Sequence, residues 1–433
     1  MKIINPSMKP LSSSFPSMKP DVNLSLTLPS SNLSHSFKPD QERSVKLIQL
    51  LLTCANHASS GNIHRADTCL RRISQLASVT GDSMQRLAAR FAAALANRII
   101  RRWPGVYKAL HHSEPTSVSP GWARQAHSMF SKSFPYMTFS YVVLTQTLVQ
   151  AMSWDRVIHI IDMGSGDPQL WTQLLTKLYH GPMGPPEVKI TCVSDNKKLL
   201  DDLGTILMKE AKSLDMSFQY NPVNVTLPGL RQDMLDIRPG ETLAFVSILN
   251  LHVLLADDDG VDARFKVYEN KDPVKENKKI SEFLTMLRAM SPKLVLLVEQ
   301  ESDHNLTGLV ERVVEGLHYY SAVFDSIDTT FTVGKISSED RVRLEDMVGK
   351  EILNIVACEG LERVERHERI AKWVVRFSRA RFKPVNIWLE AMEEARQVIE
   401  GCGLVGYKIV THRPGLMICW HDRPIYSISA WII

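Results

Sequence analysis

The chain has 433 residues, a formal net charge of +4, and 44% hydrophobic and 23% charged residues, which is the composition of an ordinary globular protein. The small net charge does not indicate a protein that reads nucleic acid directly or lies on a membrane surface, because both are usually strongly basic. The six cysteines include no C-x-x-C pair, so neither a disulfide framework nor a zinc ribbon is expected. No apolar run is long enough to predict a transmembrane helix or a signal peptide, which favours a cytosolic or nuclear protein.

The first 40 residues are rich in Ser and Pro, and we expect them to be a disordered tail because they cannot bury enough apolar surface to fold. Within this tail Leu24, Leu26 and Leu28 alternate with small polar residues, so an extended backbone places the three leucines on one face. Such a segment is suited to docking in the groove of a partner protein. A chance alternation is the alternative interpretation.

Residues 41–152 predict a mainly helical block, in which Gly stops and Asn or Asp N-caps separate the helices. The first helix carries an L-x-x-L-L pattern formed by Leu47, Leu50 and Leu51. That face could bind a partner groove, but the pattern is common and ordinary core packing is the favoured interpretation. The predicted helices cover residues 45–55, 63–76, 84–100, 121–131 and 138–152.

The central feature of the sequence is residues 157–162, a continuous apolar run that ends in Asp162 and is typical of a strand buried on both faces of a parallel sheet. Gly164 and Gly166 allow a tight turn in which backbone N–H groups face a ligand or another loop. Pro168 suits the first turn of the helix that follows. Strand, glycine turn and helix predict the first crossover of a doubly wound sheet.

Strands and helices alternate in the rest of the chain, and three strands with a hairpin turn at residues 422–424 close it. Residues 257–279 are dense in charge and predict a solvated insertion. The predicted fold is α/β: a Rossmann-like, methyltransferase-type, doubly wound and mostly parallel sheet with a terminal antiparallel hairpin, preceded by an α-helical cap. We therefore divide residues 41–433 into a cap (41–152) and an α/β core (153–433).

Asp162, Gly164 and Gly166 resemble the loop that binds S-adenosylmethionine in methyltransferases. However, Pro168 occupies the position expected for a third glycine, and the candidate ribose-binding acid, Asp195, lies beyond the end of its strand. A purely structural turn is therefore the favoured interpretation, and no cofactor is expected.

Other polar patterns give little indication of catalysis, because no nucleophile elbow, Walker-type loop or H-E-x-x-H motif occurs in the sequence. Residues 299–305 could hold acid–base groups or a metal, although a hydrogen-bonded loop is favoured. His159 lies within the predicted buried strand, so we expect it to be a hydrogen-bonded core histidine. The mixed charges of residues 362–369 predict a solvated helix with i, i+4 pairs.

The run that ends in His159, Ile160, Ile161 and Asp162 resembles the VHIID motif of the plant GRAS family. Further segments resemble family signatures in the family's order, and three short segments resemble its scarecrow-like-three branch. The family segments are residues 44–110 and 199–235 (leucine-rich regions), 292–328 (PFYRE), 362–366 (RVER) and Ser429, Ala430 and Trp431 (SAW); the branch segments are residues 53–57, 303–305 and 418–420.

This resemblance implies a nuclear transcriptional co-regulator of gibberellin and developmental signalling that acts through protein partners rather than as an enzyme. The partners it implies are DELLA-type GRAS proteins and INDETERMINATE-domain zinc-finger proteins, with indirect DNA contact and with homo- or heterodimers. The alternating tail leucines resemble the motif read by TOPLESS-type co-repressors. The alternative function is an S-adenosylmethionine-dependent methyltransferase, or a small-molecule-binding regulator, that uses the same core.

Overall fold

The computed structural model describes residues 39–111, 120–164, 166–257 and 274–433. The predicted tail up to residue 38, with its three leucines, and most of the predicted insertion at 257–279 lie outside the described residues. Within the described ranges, none of the helices combines the length and apolar character needed to cross a bilayer.

Helices precede the sheet, as the periodicity predicts. Asp82 and Gln85 form a capping box at the start of the third helix, where each side chain satisfies a backbone N–H of the other residue. Buried residues lie all round the sixth helix, which packs on the sheet. These helices are α1 (Pro39–Ser59), α2 (Ile63–Leu76), α3 (Ser83–Ile100), α4 (Pro104–His111), α5 (Pro120–Ser133) and α6 (Pro135–Met152).

Five parallel strands form the first half of the sheet, in the spatial order β3-β2-β1-β4-β5. Their apolar runs are buried on both faces, except in the edge strand β3, which tolerates Pro222 because an edge strand needs fewer backbone donors. The strands are β1 (Val157–Asp162), β2 (Glu187–Ser194), β3 (Phe218–Asn224), β4 (Thr242–Ile248) and β5 (Leu294–Gln300), with crossover helices α7 (Pro168–Tyr179), α8 (Lys197–Ser213) and α9 (Lys278–Ala289).

The chain after β5 completes the sheet with antiparallel strands, so the structure confirms the predicted α/β fold. The order is β3-β2-β1-β4-β5-β9-β8-β7, and β6 pairs with the far end of β9. The last strand therefore lies inside the sheet, between β5 and β8. The elements are α10 (Leu309–Thr332), α11 (Ser338–Ala357), α12 (Ile370–Arg379), β6 (Lys383–Val385), α13 (Leu389–Gly401), β7 (Tyr407–His412), β8 (Gly415–Trp420) and β9 (Arg423–Ile432).

Two apolar cores lie on the two faces of the sheet. Ile158 and Ile160 of β1 belong to the larger core, which includes residues of α6, α7, α8 and α13. Ile161 and Met163 belong to the smaller core, which includes residues of α9 and α12. The alternation along β1 thus directs successive side chains into opposite cores.

The helices that follow β5 return to the N-terminal helices, since α10 and α11 both pack against α3. Arg86 of α3 donates from Nε to Glu345 Oε1 of α11 over 2.8 Å, and both side chains are almost fully buried. Arg86 also pairs with Asp328 of α10. Removing one member of such a buried pair would leave an uncompensated charge, so these contacts fix how the helices meet.

The prediction of a solvated helix at residues 362–369 is wrong. Residues 363–369 are not helical, the backbone N–H of Arg366 donates to the Val364 carbonyl over 2.8 Å in a tight turn, and helix α12 begins only at Ile370. Arg363, Arg366, His367 and Glu368 are all buried. Arg363, Arg366 and Glu368 do not pair along a helix, because each contacts a residue outside this segment.

Candidate functional site

The glycine turn after β1 lies at the carboxyl ends of the strands, between β1 and β4, where a doubly wound sheet would bind a cofactor. The Asp162 carboxylate is buried there. It accepts hydrogen bonds from the backbone N–H of Gly164 over 3.1 Å, from that of Gly166 over 3.3 Å, and from Trp171 Nε1 over 2.8 Å. The donors of the turn therefore point to the chain's own carboxylate.

Side chains from other crossovers fill the space beside the turn. Gly164 and Gly166 both have positive φ angles, of 116° and 58°. A Cβ at Gly164 would collide with the amide of Asn250, which donates to the Met163 carbonyl over 2.7 Å. A Cβ at Gly166 would lie 2.6 Å from Leu199 Cδ2. Glycine is required here for conformation and for close packing against the protein itself.

The remaining candidates for cofactor binding do not complete a site. Asp195 follows β2 and is exposed. The N-terminus of α7 is capped by Asp167, which accepts from the backbone N–H of Gln169 over 2.8 Å and from Tyr141 Oη over 2.7 Å. The residues present therefore do not fit S-adenosylmethionine, and the turn acts as a structural junction of β1, α6 and α7.

His159 is a hydrogen-bonded histidine inside the sheet. Its ring is fully buried, with Nδ1 2.7 Å from Glu241 Oε2 and Nε2 2.8 Å from Thr191 Oγ1. Burial lowers the pKa of His159, although Glu241 acts in the opposite direction. The neutral ring can donate from Nδ1 to the carboxylate and accept at Nε2 from the hydroxyl, so every polar atom of the ring is satisfied.

The residues of the SAW signature lie in β9 and are buried. Trp431 stacks on Phe377 of α12 with ring centroids 4.5 Å apart, and its Nε1 donates to Ser429 Oγ over 3.0 Å. Ala430 lies opposite Leu296 of β5. This signature therefore joins the antiparallel half of the sheet to the parallel half.

The leucines of the L-x-x-L-L pattern lie on α1. Leu47 and Leu51 are fully buried in the larger core, whereas Leu50 is half-buried beside it. A partner could reach this face only if α1 left the core, so the placement favours the core-packing interpretation.

A second group of polar residues follows β5, at the same edge of the sheet. Glu299 accepts from the backbone N–H of His252 over 3.1 Å, and its Oε2 lies 2.8 Å from His252 Nδ1. Asp303 pairs with Lys372 over 2.8 Å. Asn305 donates to Glu368 Oε1 over 2.7 Å. Partners from three distant segments thus hold residues 299–305 in place.

The segment 363–369 contacts the loop of residues 299–305 and adds buried charged side chains to it. Arg363 donates to the carbonyl of His304 over 3.0 Å, and Arg366 donates to Asn305 Oδ1 over 3.2 Å. Glu368 also pairs with Arg376 over 2.6 Å. The segment is ordered by these contacts and not by any helical pairing.

A chain of His and Glu side chains runs through the centre of this region. His252 Nε2 and His367 Nε2 each lie 3.2 Å from Glu365 Oε2, and His367 Nδ1 lies 3.0 Å from His304 Nδ1. Burial opposes protonation of His252, but Glu299 and Glu365 outweigh it and raise the pKa of His252 to about 10. Burial lowers the pKa of His304, with His367 adding to the effect.

Sequence reasoning did not find this group, because His252 is far in sequence from Glu365 and His367, which belong to the charged run that predicts a solvated helix. One signal was available. Glu365 and His367 are two residues apart, so a segment that is not helical can bring both side chains to one place. The predicted helix concealed that relationship.

A five-stranded parallel sheet that is continued by antiparallel strands defines a methyltransferase-like Rossmann fold. The GRAS domain family model matches residues 47–432. The chain belongs to the GRAS family, as its motifs predict.

Relatives support this assignment over nearly the whole chain. Scarecrow-like protein 3 of Arabidopsis thaliana is 37% identical over 455 residues, covering 95% of this chain and 94% of that protein. DELLA protein RGL1 of the same plant is 33% identical, and the match covers 91% of this chain and 71% of that protein. The crystal structure of SCL7 from Oryza sativa superposes with a TM-score of 0.73 at 26% sequence identity. The superposition covers 89% of this chain and 99% of that chain. These similarities class the chain as a plant GRAS transcriptional regulator in gibberellin signalling.

Proposed function

We propose that this protein is a nuclear transcriptional co-regulator that acts by binding other proteins and catalyses no reaction. Its partners are DELLA-type GRAS proteins and INDETERMINATE-domain zinc-finger proteins, and it reaches DNA through them. The small net charge of +4 supports indirect DNA contact, because direct binding normally requires many phosphate contacts. The same surfaces would serve homo- or heterodimers.

The closed glycine turn is the observation that carries this proposal. Asp162 occupies the donors that would hold a cofactor, and Asn250 and Leu199 fill the adjoining space. A methyltransferase needs that space for S-adenosylmethionine. The fold therefore provides a rigid scaffold whose function lies on its surface.

Exposed apolar side chains at the junction of α6 and α13 are the best candidate surface. Gln150 of α6 donates to Glu390 of α13 over 3.1 Å, so the residues on either side of this contact lie near one another. Trp154, Trp388 and Leu389 are within four residues of it and are 68%, 48% and 70% exposed. We call these three residues the tryptophan patch. Exposed aromatic groups of this kind are enriched at protein interfaces.

The tail provides a second, separate binding segment in this proposal. Leu24, Leu26 and Leu28 would recruit a TOPLESS-type co-repressor, while the folded part binds the other partners. Burying one leucine contributes roughly 1.5–3 kcal/mol before ordering costs, so three leucines suffice for micromolar docking.

Co-purification of the full chain with purified DELLA, INDETERMINATE-domain and TOPLESS-type proteins tests the proposal. We expect the W388A/L389S variant to weaken binding of the first two at least tenfold and to leave the third unchanged. The L24A/L26A/L28A variant should show the reverse pattern. Val79 is 61% exposed in the loop before α3, so V79S is the matched surface control. Equal binding by all variants would refute both surfaces.

A further inference from the structure

Three potential metal ligands converge beside the carboxyl ends of β4 and β5. Among the residues that the structure describes, His252, Glu365 and His367 form the one group of at least three such side chains whose ligand atoms all lie within 4.8 Å of one another. His252 comes from the 3-10 helix Leu251–Leu255, which follows β4. The other two come from the segment 363–369, which belongs to no helix or strand. No single secondary-structure element accounts for their convergence.

The distances between these atoms fit a small divalent cation. His252 Nε2 and His367 Nε2 are each 3.2 Å from Glu365 Oε2. A tetrahedral zinc ion with bonds of about 2.0–2.1 Å places neighbouring ligand atoms roughly 3.3 Å apart. Two of the three separations match this value, and the third, between the two ring nitrogens, is at most 4.8 Å.

His367 gives an independent indication of a missing ligand. Its ring is fully buried, and Nε2 has no hydrogen-bond partner, even though Glu365 Oε2 is 3.2 Å away. The separation suits two atoms that share a metal. A buried polar atom of this kind is costly unless something else satisfies it.

The surrounding residues resemble the outer shell of a metal site. His252 Nδ1 lies 2.8 Å from Glu299 Oε2, the carboxylate–histidine arrangement that orients a ring whose other nitrogen binds metal. His367 Nδ1 lies 3.0 Å from His304 Nδ1, whose Nε2 lies 2.9 Å from Ser302 Oγ. Both ligand rings are thus held through Nδ1, and the Nε2 atom of each lies 3.2 Å from the same oxygen of Glu365.

Charge and access also favour a cation. Glu299 and Glu365 place two carboxylates around His252, and a divalent ion at this point would offset their negative charge. The Glu365 side chain is 25% exposed, which gives a route from solution. With three protein ligands, a fourth position stays open to water or to a side chain of a partner.

We propose that His252, Glu365 and His367 bind one divalent transition-metal ion, with zinc as the preferred ion. The bound ion joins the segment 363–369 to the strand ends at β4 and β5. This site is distinct from the closed glycine turn and does not depend on the proposed partner surfaces.

Zinc binding by the full chain provides the first test. The protein is stripped with EDTA, and zinc sulfate is titrated by calorimetry, with bound zinc measured by mass spectrometry after desalting. We expect one zinc per chain. The variant E299Q should lose about 10–100-fold in affinity, as outer-shell changes typically do, and E365Q and H367Q should lose more.

Glu362 provides the control, because it belongs to the same charged run and its side chain is 73% exposed. The variant E362Q should bind zinc as tightly as the wild type. Substoichiometric zinc in the wild type, or equal affinity in wild type, E365Q and H367Q, would overturn the proposal.

X-ray absorption of the zinc-loaded wild type keeps the proposal testable if the variants do not fold. We expect a first shell of nitrogen and oxygen at about 2.0 Å with the scattering of two imidazoles. Sulfur at about 2.3 Å would place the zinc on cysteines and contradict the proposed site.

Discussion

The glycine turn lies at the same edge of the sheet as the group formed by His252, His304, Glu365 and His367, which we call the His–Glu region, yet the two use their carboxylates in opposite ways. At the turn, Asp162 accepts hydrogen bonds from its own loop and from Trp171, so its hydrogen-bonding capacity is directed to the protein. At the His–Glu region, Glu365 faces two histidine nitrogens, one of which has no hydrogen-bond partner. A place at the carboxyl edge of the sheet is therefore not enough to make a binding site. Polar atoms that lack a partner within the protein are also needed.

The largest effect is expected at Glu299. The variant E299A removes the acceptor for the backbone N–H and for Nδ1 of His252 and so breaks a buried pair, which should cost about 3–5 kcal/mol even though Glu365 stays beside Nε2. Denaturant unfolding in EDTA measures this loss without any contribution from metal. The exposed pair between Glu362 and Arg101 is the control, and E362A should cost less than about 1 kcal/mol. Similar costs for the two variants would remove the distinction between buried and exposed pairs.

A somewhat smaller loss is expected at the turn. The variant D162A leaves the N–H groups of Gly164, Gly166 and Trp171 without their acceptor, and buried donors cost about 1–3 kcal/mol when unsatisfied. We expect D162A to lower the free energy of unfolding by about 3 kcal/mol in total, as measured by denaturant unfolding. D195A changes an exposed carboxylate after the next strand and should stay within about 0.5 kcal/mol. An unchanged stability of D162A would show that Asp162 does not hold the turn.

The smallest effect is a pH dependence at Glu315. Burial raises the pKa of Glu315, but Arg423 and Arg369 outweigh it and leave the pKa below its ordinary value. The folded state then binds fewer protons than the unfolded state, so this stabilisation is complete above about pH 5 and is lost as the pH falls through the folded pKa.

Comparison of the wild type with E315Q measures that contribution. We expect the wild type to be more stable by about 2 kcal/mol at pH 7, a difference that shrinks as the solution is acidified. The corresponding change at Glu282, whose side chain is 67% exposed, should be independent of pH within error. A constant difference between wild type and E315Q from pH 7 to pH 3 would contradict the assignment.

The sequence predicted those parts of the fold in which local pattern determines structure. The apolar run of β1, the glycine turn and Pro168 at the start of α7 all appear as expected, because burial and backbone conformation are local properties there. It could not predict the strand order, in which β9 lies between β5 and β8, since pairing depends on distant partners.

The same reason explains what was missed at the sites. Nothing near Gly164 in sequence indicates that Asn250 fills the space beside it. The charges of residues 362–369 have the local pattern of a solvated helix, but Arg363 and Arg366 reach the loop that carries His304 and Asn305. When such long-range pairs outweigh helical propensity, periodicity alone gives the wrong answer.

The central claim is that the glycine turn is closed and that the protein acts as a binding scaffold. Calorimetric titration of the purified full chain with S-adenosylmethionine tests it most directly, combined with an assay of methyl transfer to nuclear-extract proteins. We predict no heat of binding up to millimolar concentrations and no transfer. Micromolar binding together with methyl transfer that is lost in D162A would contradict the account and make the protein an enzyme.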